Sequence, residues 1–235
     1  MNQERPQGEI ILIDKPYGWT SFQAVKKVKW LLKAKKVGHA GTLDPLATGL
    51  LILCTEKKTK EIESIQSQEK EYTGTITLGA TTPSYDMETE PNEFFPIEHI
   101  TPEIIESSRQ QFLGEIDQIP PLFSAIKVDG KRAYKLARQG SDHELKSRKV
   151  TIYEFEITRI ALPEVDFRIK CSKGTYIRSI AYDFGKTMNS GSYLSALRRT
   201  KIGEYSVENA VHPAQISPNS VDENTPNNAL GGNMV

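Results

Sequence analysis

The stretch of this sequence that says most about its fold and function is Gly38-His39-Ala40-Gly41-Thr42-Leu43-Asp44-Pro45-Leu46-Ala47-Thr48-Gly49. Its three glycines let the backbone bend sharply or approach a ligand closely. Pro45 biases Asp44 toward an extended conformation, and Leu43 and Leu46 can anchor the loop in a core. A histidine and an aspartate on an anchored loop are typical of residues presented to a substrate. On the residues alone, an Asx turn, in which Asp44 bonds its own backbone, explains the stretch equally well.

Regular elements flank this loop on both sides. Residues 8–14 contain four consecutive aliphatic side chains and predict a buried strand. Thr20 and Gln23 have the spacing of a capping box, which predicts that a helix begins there and continues to about Lys33. Residues 50–54 predict a second buried strand directly after the loop.

The rest of the chain mixes strand and helix patterns without a regular βαβ period. Residues 72–78 and 165–171 alternate apolar and polar side chains, as half-buried strands do. The strand pattern of residues 150–160 changes phase between Ile152 and Tyr153, which predicts a bulge. We also expect helices at 101–114, 131–139 and 175–185, strand structure at 193–205 and an exposed acidic loop at 81–96. This pattern favours an α/β (α+β) fold, with a mixed, mostly antiparallel central sheet flanked by helices.

Thirty basic and thirty acidic side chains give a formal net charge of zero, but the charges are segregated along the chain. Residues 1–60 hold 11 basic and 5 acidic side chains, and residues 118–203 hold 17 and 8. Residues 61–117 hold 2 and 13, and residues 204–235 hold 4 acidic side chains and no basic ones. Two basic blocks that converge would form a face suited to a polyanion, with the acidic middle facing away. Charge counts alone are equally compatible with solvated faces that never meet.

Composition narrows the class of protein. With 37% hydrophobic and 26% charged residues in 235 positions, the chain suits one large globular domain or two small ones. Cys54 and Cys171 each end an apolar run, which predicts two buried thiols rather than a disulfide framework or a zinc site. The sequence shows neither a signal peptide nor an apolar run long enough to span a bilayer, so we expect a cytoplasmic protein. It also lacks the glycine motifs that bind nucleotide cofactors.

Several motifs, in order, resemble those of the TruB family of tRNA pseudouridine synthases. Residues 38–49 resemble the family's catalytic loop, and Lys70-x-Tyr72 resembles its tyrosine motif. The other matches are Asp14-Lys15-Pro16-x-Gly18-x-Thr20-Ser21, Pro120-Pro121-x-x-Ser124-Ala125-x-Lys127-x-x-Gly130-x-x-Ala133-Tyr134-x-x-Ala137-Arg138-x-Gly140, Cys171-Ser172-Lys173-Gly174-Thr175-Tyr176-Ile177-Arg178 and Leu197-Arg198-Arg199. Together these motifs span most of the chain.

The resemblance implies a pseudouridine synthase fold and an isomerase that converts uridine 55 of the tRNA T-loop to pseudouridine. Because the product is an isomer of the substrate, the family's reaction requires neither cofactor nor metal. Asp44 matches the catalytic aspartate, Arg178 the arginine that pairs with it, and Tyr72 the tyrosine that stacks on the target base. An aspartate is ionised at neutral pH and can act as a nucleophile without a partner base. Attack on the ribose, attack on uracil and removal of a sugar proton are all compatible with these residues.

The same resemblance implies the residues that contact the substrate. His39 matches the residue that helps to displace the target base, and Tyr176 and Leu197 match positions that line the uridine pocket. Lys15 lies in a turn expected to support the loop or the RNA. Residues 123–149 resemble a thumb-like insertion that closes over the T-arm, with basic side chains at Lys127, Lys131, Arg132, Arg138 and Arg148.

We expect a catalytic domain over residues 1–212 and a disordered acidic tail over residues 213–235. Many family members carry a C-terminal RNA-binding PUA domain, for which this tail is too short. The expected partner is tRNA, bound through its T-arm by a monomer that needs no obligate protein partner and no membrane. Two alternatives are a tRNA-binding folding factor with dispensable catalysis and a guide-dependent RNA pseudouridine synthase.

Overall fold

A nine-stranded sheet forms the centre of the protein. The computed structural model describes residues 7–124, 127–128, 131–133 and 145–216. The helices are α1 (Ser21–Leu31), α2 (Ile62–Ser67), α3 (Pro102–Gln110) and α4 (Ile177–Thr187), with 3-10 helices at Glu56–Glu61 and Val207–Asn209. The strands are β1 (Ile10–Lys15), β2 (Val37–His39), β3 (Thr48–Thr55), β4 (Lys70–Leu78), β5 (Ala80–Thr81), β6 (Glu93–Phe94), β7 (Gly114–Gln118), β8 (Lys127–Val128), β9 (Lys131–Arg132), β10 (Arg148–Ala161), β11 (Glu164–Cys171), β12 (Ser192–Ile202) and β13 (Tyr205–Ser206).

The central sheet is mixed and mostly antiparallel, as expected. Its strand order is β1-β3-β12-β4-β11-β10-β7, with β2 also paired to β3 and β13 to β12. Neighbours along this order are antiparallel except β3 and β12, which are parallel. The parallel pairing sets Gly49 beside Arg199. It therefore joins the end of the loop at 38–49 to a strand near the other end of the chain.

Strand β3 is buried on both faces, which explains its continuous aliphatic sequence. Leu51 and Leu53 belong to the main core together with side chains of α1 and α4. Leu50, Ile52 and Cys54 belong to a second cluster, which includes a side chain of α2. A strand covered on both faces has a hydrophobic run rather than an alternation. Both cysteines are buried free thiols, so that prediction is confirmed.

Local signals in the sequence are confirmed at one helix end and at one bulge. The Thr20 side chain accepts a hydrogen bond from the Gln23 amide, and the Gln23 side chain accepts one from the Thr20 amide. Helix α1 therefore begins with the predicted capping box. In β10, the pairing register with β11 shifts between Ile152 and Glu154, where the apolar phase changes.

The prediction of an exposed acidic loop over residues 81–96 is wrong for its first half. Thr82, Ser84 and Asp86 are all buried. The hydroxyls of Thr82 and Ser84 both donate to the Asp86 carbonyl, at 2.7 and 3.1 Å. Polar side chains can be buried when they satisfy one another in this way, a condition that composition does not reveal.

Two predicted segments lie partly outside the described residues. The helix predicted over 131–139 is wrong at its start, because Lys131–Arg132 is a strand paired with Lys127–Val128. Residues 134–144 are outside the described part. In the predicted tail, Ile216 is buried against the core, and residues 217–235 are outside the described part.

Replacing Gly49 by alanine should destabilise the protein strongly. Gly49 has a φ of +98°, and an added Cβ would lie 2.3 Å from the carbonyl oxygen of Arg199. Left-handed backbone costs about 1–2 kcal/mol in a residue with a side chain, and overpacking adds about 1–3 kcal/mol. Urea unfolding should therefore show a loss of about 2–5 kcal/mol.

Gly18 provides the matched control. Its φ is +79°, and an added Cβ meets no described atom within 4 Å. Gly18→Ala should therefore cost only the backbone strain, about 1–2 kcal/mol. Equal losses for the two variants would contradict the close approach of β3 to β12.

Candidate active site

An open cleft of about 1160 Å³ is built around the loop that precedes β3. Its other walls come from α2, the start of β4, the turn after β11 and the first turn of α4. The lining includes six residues that the sequence singled out, Asp44, Tyr72, Arg148, Tyr176, Arg178 and Leu197. Its volume is slightly above the usual range for small-molecule sites, and its open mouth suits one unit of a larger ligand.

The loop that carries Asp44 is held from behind by Arg199 in β12, whose side chain is buried. The guanidinium donates from Nε to the Leu50 carbonyl at 2.8 Å, from Nη1 to Thr42 at 3.3 Å and from Nη2 to Gly41 at 3.1 Å. Its planar fork of donors can hold three carbonyls at once. The motif marks Arg199 in the sequence, but its role depends on the β3–β12 pairing, which no local pattern reveals.

Lys15 holds the same loop from another side. It is fully buried, and its Nζ donates to the carbonyls of Pro16 at 3.0 Å, Trp19 at 2.7 Å and Pro45 at 3.3 Å. Burial lowers the pKa of Lys15 to about 8, although the nearby Asp44 carboxylate opposes that shift. Lys15 therefore contacts the loop backbone, one of the two uses expected from its position in the sequence.

The first turn of α1 supplies a third attachment. The Ser21 hydroxyl accepts a hydrogen bond from the Leu43 amide at 2.9 Å and donates to the Leu43 carbonyl at 3.1 Å. The Gly18 amide also donates to the Pro45 carbonyl at 2.9 Å. The backbone is thus fixed on both sides of Asp44, while the side chain itself remains 43% exposed.

Asp44 faces a buried arginine across the cleft floor. Arg178 Nε lies 3.0 Å from Asp44 Oδ2, and 4% of the Arg178 side chain is exposed. Nε has no partner in hydrogen-bonding geometry among the described residues, so the two groups interact as a charge pair. A buried cation beside a half-exposed carboxylate holds that group by charge and leaves its oxygens accessible.

Arg178 is itself fixed by backbone carbonyls. Nη1 donates to Ser84 at 3.2 Å, and Nη2 donates to Phe123 at 2.9 Å. The guanidinium therefore links the first turn of α4 to two loops that are distant in the sequence. Its orientation does not depend on Asp44 alone.

Asp86 is a second carboxylate at this arginine, and sequence reasoning missed it. Its Oδ2 lies 3.6 Å from Arg178 Nε, and its side chain is buried. Burial raises the pKa of Asp86, and the attraction of Arg178 opposes that shift. A backbone bridge to Leu194 brings Asp86 to the cleft, so the acidic middle block does not face wholly away, contrary to expectation. Its placement needs long-range pairing that an acidic stretch does not signal.

Tyr72 lies on the buried face of β4, beside Arg199 of β12. Burial raises the pKa of its phenol, and the charge of Arg199 opposes that shift. The hydroxyl is therefore protonated at neutral pH. The tyrosine belongs to the main core and also lines the cleft, so its structural and functional interpretations are compatible.

His39 ends β2 and is absent from the cleft lining described here. Its Nδ1 is buried without a hydrogen-bond partner among the described residues. Burial, assisted by the charge of Arg199, lowers the pKa of His39. The imidazole is therefore neutral at physiological pH. The structure does not bring His39 into the charge pair of Asp44 and Arg178.

Tyr176 is positioned by the buried Gln118, another residue that sequence reasoning missed. The Gln118 side chain accepts from the Tyr176 amide at 2.7 Å and donates to its carbonyl at 3.0 Å. The Arg148 guanidinium lies over the Tyr176 ring, 4.6 Å from its centroid, and donates to the Gly174 carbonyl. A cation and an aromatic ring on one wall form a surface suited to a nucleotide. Leu197 lines the cleft as well.

The other basic residues expected to contact RNA lie within residues 123–149. Lys127, Lys131 and Arg132 lie in the paired strands β8 and β9, whose backbone the structure describes. Arg138 lies outside the described residues.

The described part of the chain holds neither a cluster of potential metal ligands nor a membrane-spanning helix. No group of three or more histidine, cysteine, aspartate and glutamate side chains there is placed to hold a metal ion. None of its helices combines the length and the apolar character that crossing a membrane requires.

Known proteins resemble this chain over most of its length. The family described as TruB family pseudouridylate synthase (N terminal domain) matches residues 29–177. A Flavobacterium johnsoniae protein named tRNA pseudouridine synthase B is 64% identical, over 89% of this chain and 94% of that protein. A protein of the same name from Phocaeicola vulgatus is 52% identical, over 87% of this chain and 90% of that protein.

Solved structures share the fold. A chain of an H/ACA RNP bound to a substrate RNA containing 2′-deoxyuridine superposes with a TM-score of 0.66 at 27% identity, over 88% of this chain and 51% of that chain. A chain of a Cbf5-Nop10-Gar1 complex superposes with a TM-score of 0.67 at 29% identity, over 89% of this chain and 55% of that chain. The chain thus spans about half the length of these solved chains. The likeness confirms the expected pseudouridine synthase fold.

The buried ammonium of Lys15 should make stability depend on pH. Between pH 7 and 9 the folded protein releases the Lys15 proton, because the pKa is lowered to about 8, while the unfolded chain keeps it. The free energy of unfolding should therefore rise with pH, by about 1 kcal/mol over this interval. Lys15→Met lacks this contribution. Urea unfolding at pH 7 and pH 9 should show that the free energy of unfolding rises more with pH in wild type than in the variant. An equal rise in both proteins would contradict the lowered pKa of Lys15.

Proposed function

The chain belongs to the TruB family of pseudouridylate synthases, and on that basis we propose that it isomerises uridine 55 in the T-loop of tRNA to pseudouridine. The curated relatives named tRNA pseudouridine synthase B support tRNA as the substrate. The observation that carries the proposal is the accessible Asp44 carboxylate, ion-paired with buried Arg178 in a cleft that Tyr72 also lines.

The reaction rearranges one nucleotide. The bond between N1 and C1′ breaks, uracil turns, and C5 bonds to C1′; C5 then loses its proton while N1 gains one. An ionised carboxylate can act either as a nucleophile or as a proton acceptor in this sequence. Both uses require Asp44 to be accessible and held in place. The charge of Arg178 holds the Asp44 carboxylate in place, and the anchored backbone on either side of Asp44 fixes its position.

Substrate contacts follow from the cleft walls. We assign stacking on the target base to Tyr72, and lining of the uridine pocket to Tyr176 and Leu197. The base has to leave its stack before it reaches Asp44, which costs a few kcal/mol. We assign help in that displacement to His39, which would have to act from the rim of the cleft. A neutral imidazole can fill the space left by a base without adding charge.

We assign binding of the RNA outside the target nucleotide to the basic insertion, residues 123–149. Arg148 already lies on the cleft wall, stacked on Tyr176. Residues 123–149 form the proposed thumb over the T-arm, within a catalytic domain that spans residues 1–212. Lys127, Lys131, Arg132 and Arg138 belong to the same proposed surface.

We further assign the protein to the cytoplasm as a monomer that needs no obligate partner. Asp44, Tyr72 and Arg178 line one cleft within a single chain, so the proposed chemistry calls for no residue from a second subunit. A guide-dependent role is less favoured, because the curated relatives are named for tRNA and match over nearly their full length. A role as a folding factor with dispensable catalysis is less favoured too, because the Asp44–Arg178 pair is intact.

Asp44→Asn should abolish turnover without loss of RNA affinity. The amide keeps the size of the side chain and removes its charge, so the nucleophile or base is lost while the cleft keeps its shape. Tritium release from a T-arm RNA labelled at uracil C5 should fall by more than about 1000-fold. The dissociation constant for the same RNA should stay within about twofold of wild type, because affinity comes largely from phosphate contacts.

Asp117→Asn is the matched control, since Asp117 is exposed on β7 and does not line the cleft. It should release tritium at the wild-type rate. Wild-type release by Asp44→Asn would overturn the catalytic assignment. Absence of release from wild type itself would overturn the proposed function.

A further inference from the structure

The exposed face of α1 carries an unusual combination of side chains. Phe22 and Trp30 are 65% and 73% exposed, among the most exposed large hydrophobic side chains in the described structure. Lys26 and Lys29 lie between them in the sequence and are exposed too. Positions 22, 26, 29 and 30 follow the helical spacing of three and four, so they share one face. We call these four residues the α1 stripe.

Each aromatic ring of the stripe has a lysine over it. The Lys26 Nζ lies 5.4 Å from the centroid of Phe22, and the Lys27 Nζ lies 5.8 Å from the centroid of Trp30. The rings are therefore held by cations at the surface rather than buried. Exposed aromatic rings beside cations provide the two elements of a single-strand nucleic-acid surface, namely stacking platforms and phosphate contacts.

The charge around the stripe has one sign. Residues 21–43 contain six lysines and no acidic residue, and none of the ion pairs between described residues uses these lysines. The nearest acid in the sequence after Asp44 is Glu56, whose Oε1 accepts from the amides of Lys35 and Lys36. The stripe therefore carries a local positive charge that the zero net charge of the chain conceals.

The stripe starts at the catalytic cleft. Thr20, which caps α1, lines the cleft, and Ser21 holds the catalytic loop through Leu43. Phe22 is thus close to the cleft mouth, and Trp30 lies eight residues further along the helix, about 12 Å away at 1.5 Å per residue. A polynucleotide with one nucleotide in the cleft would have neighbouring regions within reach of this helix.

We propose that the α1 stripe is a second RNA-binding surface, which contacts the tRNA outside its T-arm by stacking on Trp30 and Phe22 and by phosphate contacts to Lys26 and Lys29. The inference rests on the proposed function, because it takes the same tRNA as the ligand. An anionic membrane is disfavoured as the partner. The apolar face of α1, with Ala24, Val25 and Val28, is buried in the core and cannot insert into lipid.

The decisive comparison uses two RNAs, a full-length tRNA and its isolated T-arm hairpin. Lys29→Ala/Trp30→Ala changes the end of the stripe that is farther from the cleft. Its dissociation constant for the full tRNA should rise about tenfold, whereas that for the hairpin should change less than about twofold. Turnover of saturating hairpin should match wild type. Phe94→Ala, another exposed aromatic residue, is the control and should bind both RNAs like wild type.

Salt dependence gives an independent measurement. Lys26→Ala/Lys29→Ala should reduce the slope of log affinity against log salt by about 2 for full-length tRNA, if each lysine contacts one phosphate. The slope for the hairpin should stay within about half a unit of wild type. An unchanged slope for the full tRNA would overturn the phosphate contacts.

The outcomes separate this inference from the proposed function. If wild type converts both RNAs and Lys29→Ala/Trp30→Ala binds the full tRNA normally, the stripe is not an RNA surface and the proposed function stands. If wild type converts neither RNA, the proposed function fails. Cosedimentation of wild type with phosphatidylserine vesicles, lost in this variant while tRNA binding is normal, would assign the stripe to a membrane instead.

Discussion

The candidate active site depends on buried cations that bind backbone carbonyls. Lys15, Arg178 and Arg199 are each less than 5% exposed, and together they hold eight carbonyl oxygens. Burying a charge is costly, and hydrogen bonds to the charged group offset that cost only where the geometry is good. Apart from that of Leu50 in β3, these carbonyl groups belong to segments outside the central sheet. The cations therefore turn loops into a fixed frame.

That frame explains how one carboxylate can be both accessible and precisely oriented. The backbone around Asp44 is attached through Gly41, Thr42, Leu43 and Pro45, so the side chain itself needs few contacts. Arg178 supplies one of these contacts and is oriented by other loops. A carboxylate held by its surroundings in this way loses little free energy to reorganisation when a substrate binds.

Local rules account for the elements that the sequence predicts correctly. The capping box of α1, the doubly buried β3 and the bulge in β10 each depend on residues within one segment. Asp44, Tyr72 and Arg178 emerged from motifs, and the structure places them around one cleft. Their roles stay a proposal.

What the sequence did not predict depends on contacts between distant segments. Asp86 belongs to an acidic stretch that composition marks as solvated, and a bridge to Leu194 brings it to the cleft. Arg199 acquires its role from the parallel pairing of β3 with β12. Gln118 is aligned with Tyr176 across 58 positions of the chain. In each case the partner is fixed by topology, which no short pattern encodes.

The most direct measurement of this positioning is the single-turnover rate of pseudouridine formation in Arg199→Met, on protein whose circular dichroism matches wild type. The substitution keeps Asp44, Tyr72 and Arg178 in the sequence, and it removes the donors to Gly41, Thr42 and Leu50 together with the hydrogen bond between Arg199 and Tyr72. Displacement of the loop should lower the rate by about 100-fold, with little change in RNA affinity. Arg199→Lys, which keeps the charge, should recover part of the loss. A wild-type rate in folded Arg199→Met would show that the buried cation does not position the Asp44 carboxylate for the proposed reaction.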